Sequence, residues 1–206
     1  TVDPNGKYIV QKRMLTSQDD ISYPERWSTT YCEYYTNGLL KKETDAEGFI
    51  TWYEYDDNGY LKFIRKGTSD SNEPFERYYY DNIGQLCLKA VSLGGVTRND
   101  YDEFGRLWKV RMFKDSDVMT LPDTHNDPNQ AFTVSRYENY GTNAGVELAA
   151  TIVNGYDALG RQTYTQQPTG GETVTSYTIS GQPKKVVYGD DVTCTDCNYV
   201  ENEYNN

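Results

Sequence analysis

The chain has 206 residues, of which 36% are hydrophobic and 20 are tyrosines, so its core must be built largely from amphipathic rings. Its formal net charge is −11 and its pI is near 4.6. Such an acidic surface repels phosphate backbones and anionic lipids, which argues against nucleic acid and membrane partners. No apolar run in the sequence approaches the roughly 18 residues that a membrane span needs.

One heptapeptide recurs along the chain with small changes. In chain order its clearest copies are YDDNGYL at 55 to 61, YDNIGQL at 80 to 86, YDEFGRL at 101 to 107 and YDALGRQ at 156 to 162. Self-similarity at a nearly constant period is typical of repeat architectures, in which each unit contacts mainly its neighbours.

The motif has the chemistry of a hairpin turn. Aspartate at the first position of a type I turn caps backbone amides, and glycine at the fourth accepts the left-handed conformation of a bulged hairpin. If Asp102 and Arg106 flank a three-residue loop that ends in Gly105, then Tyr101 lies directly across from Leu107. The same count predicts two further pairs, Tyr55 with Leu61 and Tyr80 with Leu86.

Looser copies extend the series. YYTNGLL places Tyr34 and Leu40 around Gly38, YTISGQP places Tyr177 before Gly181, and YENYG is counted as a copy led by Tyr137. The positions assigned to the structural repeat are Tyr34, Gly38, Leu40, Tyr55, Asp56, Gly59, Leu61, Tyr80, Asp81, Gly84, Leu86, Tyr101, Asp102, Gly105, Leu107, Tyr156, Asp157, Gly160, Tyr177 and Gly181.

The segments between the motifs alternate at period two, which predicts strands. A second kind of turn lies between successive motifs and absorbs the variation in repeat length. Residues 113–132 are polar and contain prolines, so they are predicted to form an excursion loop from one of these turns. The predicted fold class is all-β: tandem β-hairpin repeats in an antiparallel sheet, as a single domain over residues 1–206.

A tyrosine-aspartate pair, two free positions, a glycine and a hydrophobic residue two places later recur about every 21 residues from Tyr34 to Tyr204. This pattern resembles the YD repeat of the RHS family. The resemblance implies a sheet of hairpins that curves or spirals into a hollow shell. In bacterial insecticidal and contact-dependent toxins of the family the shell encloses a toxic domain, and in animal teneurins it forms part of an adhesive ectodomain. The self-cleaving aspartate motif of the bacterial shells is not found here, so no proteolytic residue is assigned.

The cysteines offer one local motif, Cys194 and Cys197 in CTDC. A redox CxxC opens a helix in a βαβ unit, and a zinc knuckle needs a second pair of ligands. The motif is therefore interpreted as a disulfide across a variable turn or as two free thiols. Cys32 and Cys87 are a second candidate pair in a secreted chain.

Other candidate sites have simpler explanations. His125, the single histidine, lies in a polar loop without a nucleophile motif, so it is interpreted as an exposed loop residue. The acidic pairs at 56–57 and 190–191 lack the spacing of calcium loops, and turn chemistry explains them. The aromatic rows are expected to pack across strands rather than stack on sugars; they include Trp52, Tyr53, Tyr55, Tyr78, Tyr79, Tyr80 and Trp108. We expect no catalytic residue, no cofactor and no metal.

The sequence therefore indicates a non-catalytic segment of an extracellular or cell-surface RHS/YD-repeat shell or scaffold that serves encapsulation or adhesion. Its expected partners are other YD repeats of the same chain or identical copies joined through strand edges, with an enclosed cargo or surface glycans as further candidates. Two alternatives stay open. One is a subunit of an extracellular filament, because unpaired strand edges invite addition of the next copy. The other is a carbohydrate-binding β scaffold.

Overall fold

The computed structural model describes residues 11–17, 26–67, 74–117, 121, 136–138, 140–142, 145–189 and 198–201. These residues form strands and turns, with short helical segments only between residues 136 and 142. The strands are β1 (Gln11–Ser17), β2 (Arg26–Tyr34), β3 (Leu40–Thr44), β4 (Ile50–Tyr55), β5 (Leu61–Lys66), β6 (Pro74–Tyr80), β7 (Leu86–Val91), β8 (Gly95–Tyr101), β9 (Leu107–Asp115), β10 (Val146–Tyr156), β11 (Gln162–Gln166), β12 (Glu172–Tyr177), β13 (Pro183–Gly189) and β14 (Asn198–Glu201).

The chain divides into two compact units, and each is an antiparallel meander. The first contains β1 to β7, in which each strand pairs with the next along the chain. The second contains β8 to β14 and has the same strand order. The prediction of an all-β fold of tandem antiparallel hairpins is confirmed. The single domain over residues 1–206 stays a prediction.

The hairpin registers place each repeat tyrosine opposite the residue six places later, as the count outward from the turn predicts. The pairs are Tyr34 with Leu40, Tyr55 with Leu61, Tyr80 with Leu86, Tyr101 with Leu107, Tyr156 with Gln162 and Tyr177 with Pro183. In every case the register shifts immediately before the tyrosine. A turn that ends in a left-handed glycine adds one residue to one strand, and this extra residue produces the bulge.

Within each unit the tyrosine turns lie at one end of the strands and the variable turns at the other. The tyrosine turns between the described strands all have the same length, from residues 35–39 to residues 178–182. The variable turns range from residues 45–49, between β3 and β4, to residues 116–145, between β9 and β10. Among the described strands, insertions therefore lie only at the strand ends that carry the variable turns. The repeated motif stays intact at the opposite strand ends.

Two features of the β9 to β10 connection differ from the sequence-based expectation. Strand β9 continues through Asp115, so the excursion begins later than residue 113. Tyr137 lies in a helical turn on the return to β10, not at a hairpin tip, and the interpretation of YENYG as a repeat copy is wrong. The segment lacks the turn aspartate and has Asn143 where the motif needs an apolar closing residue.

Each unit has its own buried cluster. In the first unit it consists of Phe63, Tyr79, Leu88 and Ala90, whose exposures are 1 to 2%. In the second it consists of Val96 and Phe113 beneath the ring of Tyr137, whose centroid lies 5.1 Å from that of Phe113. Burial of a large apolar side chain contributes about 1.5–3 kcal/mol, so these clusters stabilise β5 to β7 in the first unit and β8 with β9 in the second.

Candidate functional site at the tyrosine turns

The turn aspartate caps its own hairpin through the backbone. Oδ1 of Asp102 accepts hydrogen bonds from the amides of Phe104 and Arg106, each at 2.9 Å. The amide of Gly105 donates to the Asp102 carbonyl at 2.9 Å, and its φ of +77° is the left-handed conformation that favours glycine. Both side-chain bonds recur at four further aspartates, Asp45, Asp56, Asp81 and Asp157. The capped turn therefore occurs at both ends of the strands. It does not depend on the tyrosine, because Asp45 follows Thr44.

The sixth position of the motif joins one tyrosine turn to the next. Arg106 donates from Nε to Oδ2 of Asp102 in its own turn at 2.7 Å. It also donates from Nη1 to the carbonyl of Asp157 in the following tyrosine turn at 3.1 Å. Its guanidinium carbon lies 4.7 Å from the centre of the Tyr156 ring. We call this three-part contact the arginine clasp.

A second arginine clasp follows directly along the sheet. Arg161 donates to Oδ2 of Asp157 at 2.7 Å and to the carbonyl of Thr178 at 3.2 Å. Its guanidinium carbon lies 4.6 Å from the centre of the Tyr177 ring. A guanidinium offers several donors in a rigid plane and stacks on aromatic faces, so one side chain makes all three contacts.

The repeat tyrosines also bond back to the preceding hairpin. The hydroxyl of Tyr156 donates to the carbonyl of Leu107 at 2.7 Å, and that of Tyr177 donates to the carbonyl of Gln162 at 2.7 Å. Both acceptors are the residues that close the preceding motif. Each of these tyrosines therefore receives a guanidinium on its ring and donates its hydroxyl to the same neighbouring hairpin.

The electrostatics of the clasps favour ionised turn aspartates. Desolvation acts to raise the pKa of Asp102, but hydrogen bonds from the amide and guanidinium of Arg106 outweigh it and lower that pKa. The pKa of Asp157 is lowered in the same way, with desolvation opposed by the amide and guanidinium of Arg161. Both carboxylates remain charged partners of an arginine at neutral pH.

One turn of the first unit has a tyrosine at the motif position that Arg106 and Arg161 take in the second unit. Tyr60 takes the sixth motif position after Asp56, and its ring stacks on Tyr80 of the next tyrosine turn, with centroids 5.0 Å apart. A Cβ atom on Gly84 would overlap the Tyr60 hydroxyl, so this glycine is needed for space as well as for its φ of +87°. Burial and then the negative charge of Asp56 raise the pKa of Tyr80.

A groove lies between these two turns of the first unit. It has a volume of about 360 Å³. Its walls come from the turn at 56–60, through Asp56 and Tyr60, and from the turn at 81–85, through Asp81 and Ile83. The groove is thus lined by acidic and aromatic side chains and by Ile83, whose side chain is 71% exposed.

A separate ion cluster anchors the return of the excursion in the second unit. The side chain of Asp115 is fully buried, and Oδ2 accepts from Nε of Arg136 at 2.5 Å and from the hydroxyl of Tyr137 at 2.9 Å. Burial acts to raise the pKa of Asp115, but the hydrogen bonds from Arg136, from the Asp117 amide and from Tyr137 lower it. The carboxylate therefore holds residues 136–137 on strand β9 and also caps the amide of Asp117.

Arg111 of β9 extends this anchor. It donates to both carboxylate oxygens of Asp100, each at 3.0 Å, and to both oxygens of Glu138, at 3.2 and 2.9 Å. Burial acts to lower the pKa of Arg111, but these two carboxylates raise it. The side chains form closed ion pairs, which is the arrangement of a structural anchor.

The predicted cysteine sites have different outcomes. No disulfide joins Cys32 to Cys87, and that pairing is wrong. They lie on β2 and β7, five strand positions apart, which at about 4.8 Å per step is about 24 Å and far beyond disulfide reach. Cys194 and Cys197 lie outside the described residues, as do His125 and the acidic pair at 190–191.

The described residues contain neither a metal-binding cluster nor a membrane-spanning helix. Within the described ranges, no group of three or more histidine, cysteine or acidic side chains could hold a metal ion. Among the same residues, no helix is long and apolar enough to cross a membrane.

The predicted aromatic rows contact neighbouring strands and charges. Tyr79 is 1% exposed, and the hydroxyl of Tyr53 donates to Glu43 at 3.3 Å. Trp52 donates from its indole to the carbonyl of Gly67 at 3.3 Å, while Trp108 remains 39% exposed. The expectation that these rings pack across strands rather than stack on sugars stays a prediction.

The sequence pattern did not predict the arginine clasps, because the motif specifies no residue at its sixth position. The signal was the recurrence of arginine at that position in YDEFGRL and YDALGRQ. Arginine followed by a tyrosine in the next copy predicts a contact only if the two turns lie side by side. That neighbourhood depends on the strand order of the meander.

No protein-family model and no curated protein matches the chain. Solved structures of similar fold do exist. The crystal structure of TcdB2-TccC3-TEV is similar over 91% of this chain, with a TM-score of 0.62 and 15% identity. That of TcdB2-TccC3-Cdc42 is similar over 83%, with a TM-score of 0.55 and 15% identity. A Photorhabdus luminescens Tc holotoxin pore is similar over 78%, with a TM-score of 0.54 and 18% identity.

This chain corresponds to only a small part of each neighbour. It covers 9% of the first chain and 8% of each of the other two. At these identities the likeness concerns the fold. The hairpin meander of this chain is therefore shared with a short stretch of much longer Tc toxin chains.

Proposed function

We propose that the chain is a structural, non-catalytic segment of a secreted RHS/YD-repeat shell. The observation that carries this proposal is the row of tyrosine turns of equal length, three of which are joined in the second unit by the clasps of Arg106 and Arg161. Contacts between neighbouring units of this kind are typical of repeat proteins, in which each unit is stabilised mainly by the next. The likeness to Tc toxin chains over 91% of this chain supports the same proposal.

The charge distribution in the second unit agrees with a scaffold role. Asp102, Asp115 and Asp157 are each paired with an arginine and hydrogen-bonded to backbone amides. These carboxylates fix turns and the excursion, which is what a wall of a shell requires. In such a wall, encapsulation of a cargo would require the sheet to curve, and adhesion would use the surface that faces outward.

Electron microscopy of the natural protein that contains this chain tests the proposal. Hollow, closed particles with the repeat strip in their wall are the expected result. Solid particles in which the strip packs around a compact core would contradict a shell. Limited proteolysis of the same sample distinguishes encapsulation from adhesion, because an enclosed domain survives digestion until the wall is cut.

A filament subunit is the second candidate, and strand β14 favours it. Its residues pair with β13 on one side, and no described strand pairs with its other edge. An open edge can accept a strand from another copy. Fibres of constant repeat in the microscope, lost when residues 198–206 are deleted, would support the filament; fibres that survive the deletion would reject strand addition at this edge.

A further inference from the structure

Two tyrosines of the first unit meet face to face between neighbouring tyrosine turns. The rings of Tyr60 and Tyr80 are stacked, with their centroids 5.0 Å apart and their planes inclined by 25°. Among the described residues neither hydroxyl forms a hydrogen bond, whereas the hydroxyls of Tyr156 and Tyr177 in the second unit donate to backbone carbonyls. The contact between the two first-unit turns is therefore made by the rings, and both phenol groups remain available for chemistry.

We propose that Tyr60 and Tyr80 form a dityrosine cross-link when the protein meets a one-electron oxidant of the haem peroxidase class. Each phenol gives one electron to the oxidant and one proton to solvent, which leaves two tyrosyl radicals. The radicals couple through a ring carbon ortho to each hydroxyl, and the two ortho hydrogens then move as protons to the oxygens, which restores both phenols. One carbon–carbon bond is formed for two electrons and two protons lost, and hydrogen peroxide takes up both to become two molecules of water.

The stacked geometry favours coupling at this pair. The unpaired electron of a tyrosyl radical occupies π orbitals that extend from the faces of the ring, so the new bond forms most readily between rings that lie face to face. Tyr60 and Tyr80 have this arrangement. Tyr35 and Tyr55 also contact each other, but their planes are 86° apart and their centroids are separated by 6.2 Å, so an edge meets a face. We therefore expect coupling at the stacked pair and not at the edge-on pair.

The pair can be oxidised from solvent. Both rings line the groove of about 360 Å³, and the side chain of Tyr60 is 39% exposed. Tyr79, the sequence neighbour of Tyr80, is 1% exposed and has no such access. Gly84 leaves room for the Tyr60 ring, because a Cβ atom at this position would overlap it. The groove therefore gives the oxidant a route to two rings that are already in contact.

The cross-link would join two neighbouring tyrosine turns covalently, where the second unit has arginine clasps. It closes the loop that contains β5 and β6, which restricts the unfolded chain as a disulfide does. The first unit should then unfold at a higher temperature after oxidation than before. This inference concerns the strip itself and does not depend on whether the strip serves a shell or a filament.

Oxidation of the dilute 206-residue protein with a haem peroxidase and hydrogen peroxide tests the site. Trypsin cleaves after Lys62 and Arg77, so it separates the two rings into the peptides 43–62 and 78–89. We expect these two peptides to be linked, with their summed mass reduced by two hydrogen atoms and with the fluorescence of dityrosine. Fragmentation of the linked peptides should place the bond at Tyr60 and Tyr80. A bond at Tyr53 or Tyr55 instead, or no link between the two peptides, would overturn the proposal.

Three variants and an unfolded control separate the stacked pair from a general reactivity of tyrosines. Tyr60→Phe and Tyr80→Phe each keep a ring but remove a phenol, so each should abolish the linked peptides. Tyr55→Phe makes the same change at the edge-on pair and should leave their yield unchanged. Circular dichroism before oxidation shows that each variant is folded. Equal yields from Tyr60→Phe and Tyr55→Phe, or an equal yield from the native chain unfolded in urea, would reject the stacked pair as the site.

Discussion

The guanidinium of Arg106 lies 4.7 Å from the centre of the Tyr156 ring, although the long β9 to β10 connection separates the two residues in sequence. The same side chain donates to the carbonyl of Asp157 at 3.1 Å. Neighbouring tyrosine turns are thus fixed to each other even where the opposite edge carries a large insertion.

Replacement of this arginine tests its contribution. Arg106→Met keeps the stem but removes two hydrogen bonds and the ring contact, so the second unit should lose about 1–2 kcal/mol of unfolding free energy. Urea unfolding followed by circular dichroism measures the change. Lys114→Met is the matched control, because Lys114 is 71% exposed and its ion pair with Glu147 spans 3.7 Å. Its loss should stay below about 0.5 kcal/mol; equal losses would mean that the clasp is not a specific contact.

Substitutions at two glycines distinguish the free-energy cost of backbone strain from that of a steric clash. Gly48 and Gly84 both have φ near +87°, but a Cβ on Gly48 would meet nothing within 4 Å, whereas one on Gly84 would overlap Tyr60. Gly48→Ala should therefore cost about 1–2 kcal/mol for the left-handed conformation alone. Gly84→Ala should cost more, because the Tyr60 ring must leave its stack on Tyr80.

A double variant isolates the steric part. In a Tyr60→Leu background the ring is gone, so Gly84→Ala should cost no more than Gly48→Ala does in the native chain. Thermal unfolding of the four proteins gives the coupling directly. Additive losses from Tyr60→Leu and Gly84→Ala would show that the hydroxyl and the glycine do not interact.

The sequence predicts some of these relationships and misses others for a physical reason. Tyr101 opposite Leu107 is predictable, because both residues flank one turn whose length fixes the register. Arg106 against Tyr156 is not, because it needs two hairpins to be neighbours across an insertion of unknown course. Tyr137 shows the limit of a letter pattern: without the turn aspartate and the closing apolar residue, it caps a buried carboxylate instead of leading a hairpin.

The anchor at Asp115 should make the second unit sensitive to acid. Its pKa in the folded state lies below the ordinary value of 3.8, because hydrogen bonds from Arg136 and Tyr137 outweigh the opposing effect of burial. A depressed folded-state pKa stabilises the fold above about pH 4, and this stability is lost as the pH falls through the folded-state value.

Tyr137→Phe removes one donor to that carboxylate and should cost about 1.5–3 kcal/mol at pH 6. The difference from the native chain should shrink as the pH falls below the ordinary value of 3.8 and Asp115 becomes protonated in both proteins. Urea midpoints measured across this range provide the test. Tyr140→Phe is the control. Among the described contacts, Tyr140 packs its ring against Phe113, with ring centroids 5.5 Å apart, and its hydroxyl does not bond Asp115. If the cost of Tyr137→Phe did not change with pH, the Tyr137 hydroxyl would not be stabilising the ionised carboxylate of Asp115.

Alkaline titration should detect the raised pKa of Tyr53 in the first unit. Burial, and then the carboxylate of Glu43, raise the pKa of Tyr53 from 10.0 to about 12. A raised folded-state pKa stabilises the fold fully below pH 10, and this contribution is lost as the pH rises from 10 through 12. Absorbance at 295 nm of the native chain minus that of Tyr53→Phe should therefore titrate near pH 12.

Two substitutions test the cause of the shift. Glu43→Gln should lower the pH of this titration but keep it above 10, because burial is the larger cause. Glu47→Gln, at an exposed turn, should leave the titration unchanged. A Tyr53 titration at its ordinary pH in the folded protein would mean that the ring is open to water.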